Sequence, residues 1–70
     1  MLEKAMLMEE IHESLVNGNR AQMVEQIDEY GLYEFWSNYK HYLTGLYNET
    51  LARYDYFTDA TVSYFRIKNR

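Results

Sequence analysis

Between Leu32 and Ile67, apolar side chains recur at alternating spacings of three and four, and no proline interrupts them. Written in sevens, one class holds Leu32, Tyr39, Leu46, Arg53, Ala60 and Ile67, and its neighbour holds Trp36, Leu43, Thr50, Phe57 and Tyr64. On an α-helix these two classes adjoin as one seam, whereas a strand would need alternation at every second residue. Gly45 is the weakest point of such a helix, costing about 1 kcal/mol relative to alanine. A break at Phe57-Thr58-Asp59 would let Thr58 cap a final helix. The segment TVSYFRIK, residues 61–68, is rich in β-formers, but a lone strand has nothing to pair with inside a helical monomer.

The first thirty residues carry their own punctuation. Met8, Ile11 and Leu15, widened by Leu7 and Val16, make a stripe along residues 2–16. Gly18 suits the position just past that helix, where a positive φ costs glycine nothing. Asn19, with Gln22 three residues on, is an asparagine variant of the capping box. Met23, Val24, Ile27 and Tyr30 then mark a second helix over 20–30, which Gly31 ends. So short a turn at Asn17-Gly18-Asn19 favours an antiparallel pair. The expected fold is all-α: one domain, residues 1–70, forming a small three- or four-helix bundle. An N-terminal helical hairpin is followed by a long or broken C-terminal helix, with helices near 2–16, 20–30, 32–56 and 58–68.

Seventy residues are near the lower limit for a stable core, and chains of this size often rely on disulfides, metals or self-association. Cysteine is absent, which removes disulfides and thiolate zinc sites. MLEKAMLMEE is acidic and lacks a long apolar run, so neither a signal peptide nor a membrane span is expected, and the reading is cytoplasmic. Net charge is −4 and unevenly spread. Glu3, Glu9, Glu10, Glu13, Glu25, Asp28, Glu29 and Glu34 face only Lys4 and Arg20 in the first half, while Lys40, Arg53, Arg66, Lys68 and Arg70 outnumber the acids of the second.

The stretch NYKHYLTGLYNETLARYDYF, residues 38–57, holds five tyrosines and a phenylalanine. Tyr39 and Tyr64 fall in the seam and are assigned to the core. Tyr33, Tyr47 and Tyr54 share one flank; Phe35, Tyr42 and Tyr56 share the other. So small a core is not expected to hide seam and both flanks, which leaves Tyr33, Tyr47 and Tyr54 as candidate interface anchors. Glu9/Glu13 and Glu25/Glu29 are like-charge pairs at i,i+4 that cost folding a few tenths of a kcal/mol each. They are candidate contacts to a basic protein, whose groove for nucleic acid would receive carboxylates in place of phosphates.

Other signals favour plain structure. His12 and His41 lack the paired spacing of a zinc site and are read as structural or surface residues. Ser14, Ser37 and Ser63 have no catalytic motif around them, so no catalytic residue, metal or cofactor is assigned. VNGNR lacks the glycines and Lys-Ser/Thr of a Walker loop. Rings beside Lys40 and Arg53 suggest base stacking, but Glu49, Asp55 and Asp59 oppose a phosphate backbone, and no direct nucleic-acid contact is expected. Asn48-Glu49-Thr50 matches a glycosylation sequon placed on an expected helix. RIKNR suits a helix C-terminus, or the acidic front of another copy in a homo-oligomer.

VNGNRAQMVEQIDEYGLYEFW, in a chain free of cysteine and proline and rich in tyrosine, asparagine and acids, resembles the small accessory proteins of tailed bacteriophages. That resemblance implies a non-catalytic protein in the host cytoplasm that binds and blocks a host enzyme, nucleoid protein or defence complex. The expected function is therefore protein binding through an acidic, tyrosine-rich helical surface, with structural self-assembly as the alternative.

Overall fold

The computed structural model describes residues 2–70 and contains four helices: α1 (Leu2–Val16), α2 (Arg20–Tyr30), α3 (Leu32–Leu46) and α4 (Thr50–Lys68). Among the described residues there is no strand, and 61–68 is helical. The turns explain the order of the first three helices. Gly18 takes φ +80°, and the amides of Gly18 and Asn19 donate to Leu15 O and Ser14 O, so a Schellman turn closes α1. Asn19 does not form the expected capping box: its side-chain amide donates to Gln22 Oε1 at 2.5 Å instead of accepting from the helix backbone.

Gly31 is the entire link between α2 and α3. Its N–H closes α2 on Ile27 O at 2.9 Å, and its carbonyl opens α3 by accepting from Phe35 N at 2.8 Å. One residue ends one helix and starts the next only at a backbone angle such as its φ of +105°, where side chains are disfavoured.

The second half differs from expectation in where it breaks. α3 runs through Gly45, and Thr58 lies inside α4. The break falls at 47–49, where Tyr47 is extended at φ −123° and ψ 133°. That conformation turns the Tyr47 ring inward, and the Arg53 guanidinium takes the freed carbonyls of Tyr47 and Asn48 at 2.8 and 3.1 Å. Leu46 and Thr50, seam positions on a continuous helix, consequently stand exposed. The sequon residue Asn48 lies in the link between helices.

Side-chain pairs give the helix directions. Lys4 reaches Tyr30 O, so α1 and α2 are antiparallel. Arg20 meets Asp59 while Asp28 meets Lys68, so α2 and α4 run parallel. Trp36 meets Thr61 and Lys40 lies over Phe57, so α3 and α4 are antiparallel. α2 packs against all three other helices. The core is Met8, Ile11 and Leu15 from α1, Met23, Val24, Ile27 and Tyr30 from α2, Phe35, Tyr39 and Leu43 from α3, and Ala60 and Tyr64 from α4. The radius of gyration, 11.2 Å, matches the roughly 11 Å of a packed chain of this length.

Candidate functional site: a tyrosine cage and an acidic groove

His12 occupies the place that decides what the tyrosines do. It sits on α1 beside Ile11 and is buried. Its Nδ1 lies 2.8 Å from the Tyr39 hydroxyl and its Nε2 lies 2.8 Å from the Tyr47 hydroxyl. Tyr56 and Tyr42 close the cage edge-on, with ring centroids 5.0 and 5.5 Å from the imidazole. Tyr47 and Tyr56 stack at 5.0 Å. Phe35, assigned by spacing to a flank, is buried and stacks on Tyr39 at 4.7 Å, because the one-residue link folds the first turn of α3 beneath α2.

The burial of Tyr39 fixes the proton arrangement. Its hydroxyl has one side-chain partner, His12 Nδ1, and the residue has no exposed surface. Were Nδ1 the donor, the hydroxyl proton of Tyr39 would be buried without an acceptor. Tyr39 therefore donates to Nδ1, and His12 carries its proton on Nε2, which donates to Tyr47. Burial pushes the Tyr39 hydroxyl well above its ordinary value, and burial and then the neighbouring Tyr56 hydroxyl raise Tyr47.

Burial lowers the His12 pKa from 6.5, against a weaker opposing pull from Glu13. Glu9 and Glu13 on its own helix, Tyr39 and Tyr42 from α3, Tyr47 from the link and Tyr56 from α4 are the titratable groups around it. Because the folded state resists protonation, the unfolded state binds the proton first as pH falls below about 6.5. This contribution to stability is complete above that pH and is lost on acidification. The urea midpoint is expected to fall between about pH 7 and pH 5, and His12→Gln, less stable throughout, to lose that slope. A wild-type midpoint flat across the window would contradict the buried neutral imidazole.

Against this geometry the candidate anchors separate. Tyr47 is half-buried, with its hydroxyl tied to His12 and its ring in the cage. Tyr33 is 83% exposed in the first turn of α3, and Tyr54 is 66% exposed beside Lys40 and Thr44, near the other end of that helix. About 16 Å of helix separates the Tyr33 and Thr44 levels. The three tyrosines do not form one surface.

The carboxylates converge better. Glu29 borders a hollow between α1 and α2 with Glu3, Met6 and Glu10, and Glu13 borders the next hollow along that groove with Glu10, Gln22 and Gln26. Glu25 stands one turn before Glu29 on the outer side of α2, whereas Glu9 is turned toward Tyr42, whose hydroxyl burial raises first and Glu9 and Glu13 raise further. Glu3 and Glu10 were missed from sequence. Their seven-residue spacing, with Glu13 three further on, was the available signal.

Ion pairs involve other acids: Glu34 with Lys4, Asp59 with Arg20 at 3.0 Å, and Asp28 with Lys68 at 2.7 Å. Tyr64 donates to the second Asp28 oxygen at 2.6 Å, and Lys68 and then Tyr64 hold that carboxyl below its ordinary range. Lys4 borders the acidic groove, but its ammonium is engaged by Tyr30 O and Glu34. Among the described residues no three acids or histidines converge as a metal site, and no helix is long and apolar enough to cross a membrane. Comparison with protein-family models, curated proteins and solved structures gave no match.

Proposed function

We propose that this chain is a non-catalytic protein-binding module that engages a basic partner surface through the α1–α2 groove. One observation carries the reading. Glu3, Glu9, Glu10, Glu13, Glu25 and Glu29 are exposed, and none meets a cation among the described residues, although Lys4, Arg20 and Lys68 each pair with a carboxylate elsewhere. Folding gains nothing from unneutralised acids at this density, whereas a cationic partner gains orientation and association rate. In its finer form, the module is a phage-type inhibitor or modulator that occupies the nucleic-acid groove of a host protein. The unpaired carboxylates along the groove and the composition of the chain support that form.

Two measurements test it. Glu10→Gln, Glu13→Gln and Glu29→Gln are expected to leave folding stability within about 0.5 kcal/mol of wild type or raise it, since exposed positions without partners tolerate change. Glu10→Lys/Glu13→Lys/Glu29→Lys is expected to abolish capture of a basic protein from native host lysate, and rising salt to release that protein from wild type. Equal capture by the triple variant, with unchanged salt dependence, would refute the reading. In the finer form, duplex or single-stranded nucleic acid competes with the chain for its partner.

A further inference from the structure

The outer face of α4 bears an apolar stripe that the fold leaves uncovered. Leu51 is 73% exposed, Tyr54 66%, Val62 44% and Phe65 39%, with half-buried Thr58 at the centre. Their spacings of three, four, four and three place all five within one narrow arc of the helix, about 21 Å long. Asp55 and Arg66 lie along one flank of this arc, toward opposite ends, and neither is ion-paired among the described residues.

We propose that this stripe is the interface of a homodimer, in which α4 packs antiparallel on α4 of a second copy about a two-fold axis at Thr58. The stripe is complementary to itself when reversed. That axis sets Leu51 against Phe65 of the other copy and Tyr54 against Val62, a large side chain opposite a smaller one at the inner level. Each copy's Asp55 then faces the level of residue 61 across the interface. Arg66 stands about 7.5 Å further along and leans back toward it, because helix side chains tilt toward the N-terminus. The charged ends thus meet with opposite sign twice, and antiparallel helix dipoles add to the match. A parallel pairing would put the Asp55–Arg66 flanks of the two copies on opposite sides of the seam, so that the two charges would not meet. Because a two-fold contact uses the same patch on both copies, assembly closes at two.

A single helix pair buries less than the roughly 1,600 Å² of a standard interface, so dissociation is expected at about tens to hundreds of micromolar. The stripe lies apart from the α1–α2 groove, and the inference does not depend on the partner reading. Dimerisation would give one assembly two acidic grooves, raising avidity for a repetitive basic surface.

Sedimentation equilibrium tests the proposal directly. The 8.5 kDa chain is expected to approach twice that mass as concentration rises toward a millimolar. Leu51→Glu and Val62→Glu are expected to weaken association at least tenfold, with circular dichroism unchanged because both positions are exposed. Asp55→Arg and Arg66→Asp are each expected to weaken it, and the double exchange to restore it. A chain monomeric at several hundred micromolar overturns the proposal and leaves the stripe to a different protein. A dimer that persists in Val62→Glu, or growth beyond two copies, overturns it as well.

Discussion

Tyr39→Ala is expected to leave most of the chain unfolded at room temperature. Removing a fully buried ring costs about 3–5 kcal/mol, and a single core of this size seldom supplies more than that in total. The loss is large because Tyr39 serves two structures at once. Its ring lies between Phe35 and Tyr42, at 4.7 and 6.2 Å, and its hydroxyl holds His12 in one tautomer. Tyr39→Phe separates the two roles. It keeps the ring but leaves Nδ1 without a donor, which is expected to cost about 1–3 kcal/mol. Urea denaturation followed by circular dichroism measures both. A Tyr39→Ala protein within about 1 kcal/mol of wild type would mean the cage is not the centre of the core.

The glycines provide the second large effect, with opposite signs at two positions. Gly31→Ala is expected to destabilise the fold by about 1–3 kcal/mol, since a Cβ there meets nothing within 4 Å yet φ is +105°. The cost is therefore backbone strain alone, applied at the residue that closes α2 and opens α3 together. Gly45→Ala also meets nothing within 4 Å, but Gly45 lies inside α3 with ordinary helical angles, and alanine is expected to stabilise by up to about 1 kcal/mol. Thermal unfolding of the pair gives the signs without reference to absolute stability. Equal shifts in the same direction would contradict the one-residue junction.

What the sequence made legible was the periodic part of the molecule. Spacing alone places Met8, Ile11, Leu15, Met23, Val24 and Ile27 in the core, and they are buried there, as are Tyr39, Leu43, Ala60 and Tyr64. Gly18 and Gly31 also behave as their residue type demands. The break at 47–49 was not legible, because nothing in Tyr47-Asn48-Glu49 forbids helix. Its causes are tertiary: the attraction of the Tyr47 hydroxyl to His12 and the clasp of Arg53 on two carbonyls. The same contact removed Tyr47 from the surface. A histidine flanked by glutamates looks solvated in one dimension, and only the packing of α3, the link and α4 around α1 makes it the hub of four rings. Tyr33, Tyr54 and Phe65 are the aromatic residues left exposed. The surplus of rings inferred from sequence is thus largely absorbed, and the unneutralised carboxylates are what remain to explain.

The state of His12 therefore decides whether the tyrosines around it form a buried cage. Nitrogen NMR of the imidazole, followed from about pH 8 downward, reads its tautomer and its titration together. The proton is expected on Nε2, with Nδ1 as acceptor, and protonation is expected only below pH 6.5. A rapidly exchanging mixture of tautomers that titrates near 6.5 would place the imidazole in solvent, and would return Tyr39, Tyr42, Tyr47 and Tyr56 to the surface.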